Sequence, residues 1–406
     1  MNCIELYAGA GGLAMGVGLA GFEPLAVVEW NKEACDTIRA NQLLGYPLVR
    51  DWPLHQVDVR NFDWAPIPEG VDLIAGGPPC QPFSMGGKHL AHDDGRDMFP
   101  ATVDIVRRLR PHAFVFENVK GLTRSSFANY YQYILLQFEF PEIVRRRKEG
   151  WFEHLLRLQK EHASGRLHSQ GLTYNVLTTL VNAADYGVAQ KRERVFIVGF
   201  RSDLGIEWSF PRRTHSQDAL LLGQWVTGEY WDRHRISRRQ RGAFPEQFKA
   251  RVQTLSDCLI PAAELPWRTV RDAIWGLPDP ESKAARNFPD HGFQPGARIY
   301  SGHTGSALDQ PAKTLKAGDH GVPGGENMMI KDTGEVRYFT IRESARLQTF
   351  PDGFRFQGSW TETMRQLGNA VPVVLAQRVA ASVAEKLIMA KLKSIIRARH
   401  RMLGVA

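Results

Sequence analysis

Cysteine is scarce in this chain: Cys3, Cys35, Cys80 and Cys258 are the four among 406 residues. They lie too far apart for metal-ligand spacing and are too few for a disulfide scaffold, so no metal site is expected and a reducing cytosol fits best. Long apolar runs are also missing. No stretch of about 18 uninterrupted apolar residues occurs, which argues against a membrane span. The Gly- and Ala-rich stretch from Ile4 to Phe22 has no basic leader and carries Glu5, so it does not read as a secretory signal. No internal repeat is evident, and an acidic surplus is absent. Lys and Arg number 51 against 43 Asp and Glu, a net charge of +8. That sign favours a polyanionic partner without identifying one. What is present is 43% hydrophobic residues, enough for a sizeable core in one large domain or two smaller ones.

The first half alternates short apolar runs with helical stretches. Strands are expected at Cys3–Tyr7, Leu25–Glu29, Val71–Ala75, Ala113–Glu117, Tyr174–Val181 and Arg194–Phe200, and helices at Leu13–Ala20, Lys32–Asn41 and Met98–Leu109. This alternation predicts a doubly wound α/β fold, a parallel sheet with helices on both faces. Ligands then sit at the carboxyl ends of the strands. From about Arg201 to Phe339 the pattern breaks into Gly-, Pro-, Trp- and Arg-rich sequence, read as a smaller, loop-rich domain. Order returns at Thr340, and Gln366–Arg401 reads as a long helix broken at Pro372. Pro141–His168, with its run Arg145–Lys148, reads as a polar helical excursion.

The unusual residues all follow predicted strands. Glu5-Leu6-Tyr7-Ala8-Gly9-Ala10-Gly11-Gly12 runs from the first strand into a helix opened by Leu13, and its glycines allow a tight turn and close ligand approach. Glu29 ends the second strand, where a carboxylate can accept hydrogen bonds from ribose hydroxyls. Trp30 can pack on an adenine face, and Asp58 can receive the adenine amino group. The bunched glycines lean toward S-adenosylmethionine over NAD, although a purely structural turn gives the same pattern.

Val71–Gly77 runs into Pro78-Pro79-Cys80-Gln81-Pro82-Phe83-Ser84, a stiff loop that presents a thiol instead of hiding it. A free cysteine is usually a small buried hydrophobe. Here its setting makes it a candidate nucleophile. The next strand closes in Glu117-Asn118-Val119, placing a carboxylate at the same sheet edge, where partial burial would let it carry a proton. Gln190-Lys191-Arg192-Glu193-Arg194 precedes the last strand. Arg192 and Arg194 share a parity, so both are expected on one face, suited to a phosphate or a base oxygen. The bland alternatives are a capping glutamate and a solvated charged edge.

In order along the chain, Y-A-G-A-G-G, E-W-N, P-P-C-Q-P-F-S, F-E-N-V, Q-K-R-E-R and Q-L-G-N-A-V-P resemble the ordered motifs of the DNA cytosine-5 methyltransferases of bacterial restriction–modification type, as does Thr340–Pro351. The resemblance covers residues 2 to about 380. It implies a class I methyltransferase, Rossmann-like sheet in residues 1–200 plus 340–406, with 201–339 as a target-recognition domain in which Thr314-Leu315 is similar to a common Thr-Leu pair. It implies Cys80 as nucleophile, Glu117 as the base-binding acid, and Arg192 and Arg194 as the pair holding the target cytosine and nearby backbone. S-adenosyl-L-methionine is the implied cofactor. Its contacts would come from Tyr7, Ala8, Gly9, Gly11, Gly12, Leu13, Glu29, Trp30, Asp58, Val59 and Pro79, with Asn369, Ala370 and Val371 folding back against it. Tyr7 departs from the usual Phe, and Val57 stands where Gly is common before Asp58.

The chemistry so implied is attack of the Cys80 thiolate on C6 of a flipped cytosine, with C5 then accepting the methyl group. Double-stranded DNA is the expected partner. Arg233, Arg235, Arg238, Arg239 and Arg241 form a cluster suited to its phosphates, and the Gly-rich stretch 318–325 is suited to a groove. A monomer in the bacterial cytoplasm, associated with the nucleoid and accompanied by a cognate restriction endonuclease acting on the same site, completes the expectation. The alternatives are an RNA cytosine-5 methyltransferase on the same scaffold, a binding protein that has lost catalysis, and a nicotinamide oxidoreductase.

Overall fold

The computed structural model describes residues 1–79, 97–164, 171–257, 263–301, 303–317 and 327–402. Cys80, Cys258 and the Gly-rich stretch 318–325 lie outside the described residues.

The chain forms two compact units. The first comprises Met1–Val181, Glu193–Pro211 and the chain from Ala376 on. Its centre is a seven-stranded sheet of β1 (Asn2–Leu6), β2 (Glu23–Glu29), β3 (Leu54–Gln56), β4 (Leu73–Gly76), β5 (Ala113–Val119), β6 (Tyr174–Asn182) and β7 (Glu193–Arg201), ordered β3-β2-β1-β4-β5-β7-β6. Five strands run parallel, as the alternation with helices predicts. β7 instead pairs antiparallel with β5, a departure from the all-parallel expectation. The cause is the connection 183–192, which is too short for a crossover helix and turns the chain back beside its neighbour.

Helices α1 (Gly12–Leu19), α2 (Lys32–Leu43) and α3 (Phe99–Leu109) fall close to the predicted spans. On one sheet face Ile4, Leu6, Val28, Ile74, Phe114, Phe116, Val195 and Ile197 build a core with Phe99 and Val106 of α3. Phe114, Phe116 and Phe138 form a triangle of rings, with centroids 5.2 Å apart for Phe114–Phe116 and 5.0 Å for the other two pairs. Opposite it in register is Gly199, where an added Cβ would lie 2.2 Å from the Phe114 ring.

The stretch 141–168 is not the polar excursion expected. After α4 (Ala128–Glu139), its helix α5 (Trp151–Ser164) buries Leu155 and Leu158 in the same core. His154 is buried too, with Nδ1 2.9 Å from Tyr133 Oη and Nε2 2.7 Å from Ile143 O, and its burial lowers the imidazole pKa. The charged run ahead of the helix masks its apolar face in the sequence; residues 165–168 are outside the described set.

The second unit holds Asn182–Arg192 and Arg212–Leu375, a boundary different from 201–339. Its core gathers Ala184, Leu220, Tyr230, Trp231 and Trp267 beside small sheets. The segment 340–375, expected in the catalytic domain, belongs here because buried Arg342 anchors its helix Ile341–Leu347. Arg342 donates to Pro289 O at 3.1 Å, Pro351 O at 3.2 Å and Phe354 O at 2.7 Å, and pairs with Asp290. The C-terminal helical stretch breaks at Pro372 as expected: Trp360–Asn369 and Val373–Met402 are separated where proline cannot continue the hydrogen-bond ladder, and the first begins six residues earlier than expected. Among the described residues no helix is long and apolar enough to cross a membrane.

Candidate active site

The turn after β1 is set by three left-handed residues: Tyr7 at φ 55°, Gly9 at 53° and Gly11 at 91°. At Gly11 an added Cβ would lie 2.8 Å from the Trp52 ring, so glycine is required on two counts. Glu29, at the end of β2, braces this turn. Its Oε2 accepts from Gly9 N and its Oε1 from Asn31 N, both at 2.7 Å. Asn31 in turn caps α2, accepting from Ala34 N at 2.8 Å.

Beside the turn lies a cavity of about 260 Å³ lined by Tyr7, Val28, Glu29, Trp30, Val57, Asp58, Val59, Arg60, Pro79 and Met98. Of the residues expected to touch a cofactor, Tyr7, Glu29, Trp30, Asp58, Val59 and Pro79 therefore stand in one wall. Ala8, Gly9, Gly11, Gly12 and Leu13 build the turn and the first residues of α1. Asn369, Ala370 and Val371 belong to the second unit. Trp30 is 70% exposed, an uncovered indole at the rim. Tyr7 Oη is 3.0 Å from Thr102 Oγ1, and burial pushes its phenol pKa up. Asp58 is held by Arg60, which donates Nη2 at 2.6 Å and its backbone N at 2.9 Å; the side-chain hydrogen bond holds the carboxyl below its usual range. Sequence reading missed Arg60 and Met98. Arg60, two residues beyond a proposed ligand, was the findable one.

The next strand end carries Gly76-Gly77-Pro78-Pro79, the approach to Cys80. An added Cβ on Gly76 would lie 2.6 Å from Leu6 O, so β4 needs glycine against β1. Asn118 Nδ2 donates to Pro78 O at 2.9 Å, and Met98 N to Pro79 O at 3.4 Å. The position of a Gly77 Cβ is 3.6 Å from Glu117 Oε2. Glu117 is itself only 7% exposed and pairs with Arg194, Nε to Oε1, at 2.8 Å. Burial lowers the Arg194 pKa, and Glu117 opposes that shift. A buried ion pair thus stands beside the peptide that leads to Cys80. Cys3 and Cys35 are buried, and burial pushes Cys35 up to about 12 and Cys3 further, so neither is a thiolate near neutrality.

Arg192 corrects the parity argument. It precedes β7, so strand alternation does not govern it, and it lies in the second unit whereas Arg194 lies in the first. It is 0% exposed and donates to Leu315 O, Gly368 O and Ala370 O. In the arginine cluster, Arg233 pairs with Asp272 at 2.8 Å and Arg241 lies over the Trp231 ring at 5.6 Å, whereas Arg235, Arg238 and Arg239 are exposed. No group of side chains suited to a metal ion occurs among the described residues.

The sheet order, the turn braced by a glutamate and the buried acid–arginine pair define a class I methyltransferase fold. The chain matches the family model of C-5 cytosine-specific DNA methylases over residues 1–141 and 159–385, and it belongs to that family. It is 30% identical over 402 residues to the Type II methyltransferase M.NgoPII of Neisseria gonorrhoeae, covering 95% of this chain and 96% of the relative. It is also 30% identical over 393 residues to M.PspPI of a Psychrobacter species, covering 95% and 79%. Among solved structures, a prophage-encoded E. coli protein described as a DNA modification methyltransferase superposes with a TM-score of 0.57 at 21% identity, over 95% of this chain and 99% of that one. Dnmt2 of S. pombe superposes at 0.53 and 16%, over 95% and 98%. At such identities the structural likeness speaks for the fold.

Proposed function

We propose that this enzyme methylates C5 of a cytosine in a specific double-stranded DNA sequence, taking the methyl group from S-adenosyl-L-methionine and using Cys80 as covalent nucleophile. The observation that carries the proposal is one peptide, Gly77–Pro79. It borders the buried Glu117–Arg194 pair on one side, contributes Pro79 to the cavity on the other, and leads directly to Cys80.

The cavity suits the cofactor. Its charged lining is Glu29, Asp58 and an arginine already paired with Asp58, a set that favours a cationic sulfonium ligand and disfavours a dinucleotide diphosphate. Glu29 would take the ribose hydroxyls, Trp30 the adenine face and Asp58 the adenine amine. When bound, S-adenosylmethionine supplies an electrophilic methyl group. The Cys80 thiolate adds to C6 of the flipped ring. Glu117, in its acid form, would donate its proton to N3 and accept from the exocyclic amine, and Arg194 would donate to O2, so that together they offset the negative charge that addition places on the ring. Carbon 5, made nucleophilic by that addition, would take the methyl group, the S–CH3 bonding pair staying on the sulfur of the departing thioether. Its proton then passes to a base and the thiolate leaves, restoring aromaticity. The second unit would repay the few kcal/mol that base rotation costs. The relatives' designation as Type II methyltransferases supports a setting beside a cognate restriction endonuclease; a cytoplasmic monomer is part of the same proposal.

The test uses DNA carrying 5-fluorocytosine at the site identified by bisulfite sequencing, incubated with methyl donor. Trapping at Cys80, seen by mass spectrometry and lost in Cys80→Ala, is the expected result. Cys80→Ala retains cofactor binding in calorimetry. Methyl transfer by Cys80→Ala near the wild-type rate would refute the assignment, and label entering transfer RNA alone would favour the RNA reading.

A further inference from the structure

Arg192 holds three stretches of the second unit together. Its Nη1 donates to Leu315 O at 3.1 Å, and its Nη2 to Gly368 O at 2.6 Å and Ala370 O at 2.9 Å. Gln190 grips the same middle stretch: Leu315 N donates to its Oε1 at 3.1 Å, and Thr314 Oγ1 donates to Lys191 O at 2.7 Å. Backbone bonds Lys191 N to Ala312 O, 2.8 Å, and Ala312 N to Ala189 O, 2.9 Å, complete the seam. On the far side, a Cβ on Gly368 would fall 2.4 Å from Ala317 N, so two backbones pack there with no room for a side chain. A buried guanidinium committed to three carbonyls needs its planar fork, and a lysine ammonium in its place cannot span them.

The segments so joined present Lys191, Lys313 and Lys316 to solvent. Lys191 Nζ lies 5.2 Å from the Trp267 ring centroid, and Lys313 Nζ donates to Thr304 Oγ1 at 2.7 Å. Phosphate contacts fix the register of a protein on its duplex, so their spacing must be set in advance. We infer that Arg192 is a positioning residue for DNA: its clasp fixes the Thr314–Leu315 stretch and, with it, the lysines that meet backbone phosphates. The inference rests on the DNA-methylating reading and departs from a direct grip of Arg192 on the target base.

The experiment measures transfer of labelled methyl groups to unmethylated plasmid DNA. Failure of the wild-type chain to label DNA would strike that underlying reading; the variants below judge the clasp. Arg192→Lys keeps the charge but loses the fork, and Gly368→Ala keeps the guanidinium but forces the backbones apart. Both are expected to raise KM for DNA at least about tenfold with kcat within about threefold, the signature of lost uniform binding. The slope of log KM against log salt should become shallower by about one or more, as lost lysine contacts require. Lys313→Met with Lys316→Met should reproduce the shallower slope. Loss of kcat at unchanged KM in Arg192→Lys would overturn the proposal in favour of a direct catalytic role. Unchanged KM and slope in either clasp variant would overturn it too. Should the clasp variants fail to fold by circular dichroism, an unchanged slope in the lysine double variant is by itself decisive against it.

Discussion

Two buried glutamates on neighbouring strands have opposite fates. Glu29 is spoken for by two backbone amides, so its charge is compensated where it stands. Replacing it with Ala removes both the expected ribose acceptor and the brace on Gly9. Cofactor affinity should fall more than for any other lining residue, by about tenfold or more, given that a lost charged hydrogen bond costs ~1.5–3 kcal/mol. Titration calorimetry with S-adenosylmethionine checks this, and an unchanged dissociation constant would remove Glu29 from the site. Glu5, in contrast, is 1% exposed, and among the described residues neither carboxylate oxygen has a hydrogen-bond partner. Burial raises its pKa well above the ordinary 4.5. The sign follows: above pH 4.5 the unfolded chain has released a proton that the folded chain retains, so stability declines as pH rises from there toward the folded-state value. Glu5→Gln should therefore raise the melting temperature at pH 8 and leave it unchanged below pH 4. A melting temperature unaltered at pH 8 would contradict the burial argument.

The elements show why some of this was legible in the sequence and some was not. Glu29 and Glu117 close apolar runs, and a strand that ends in an acid announces itself locally. The positions of α1 to α3 were equally readable from periodicity. Arg192 was not, because its three carbonyl partners come from residues more than a hundred positions away, and parity counts only inside a strand. The apolar stripe of α5, Leu155 and Leu158, was in plain view but sat behind four consecutive cations. The antiparallel turn of β7 was recoverable from the length of 183–192 alone. Pairing across β5 and β7 has its own test. Gly199→Ala pushes a methyl group into the Phe114 ring, and overpacking of this kind costs about 1–3 kcal/mol. Urea unfolding should show the loss as a lower midpoint at unchanged slope, and an unaffected midpoint would mean that the ring moves freely aside.

At the scale of the molecule, the chain carries a net charge of +8, and in its second unit cations are set against aromatic rings: Arg233 over Tyr230, Arg241 over Trp231, Lys191 over Trp267. Cations that are partly committed to rings and acids contribute less counterion release than their number suggests. Binding to plasmid DNA should weaken linearly in log–log form as salt rises, by at least about tenfold between 50 and 200 mM. Fluorescence anisotropy of a labelled duplex measures it, and salt-insensitive binding would contradict an electrostatic interface.

The indole of Trp52 occupies the space that any side chain at position 11 would need. Shrinking Trp52 would open room there but leave the left-handed backbone at Gly11 unrelieved. The turn that shapes the cavity is thus doubly locked: a single substitution at position 11 or at position 52 does not by itself make room for an unstrained bulkier residue at that corner.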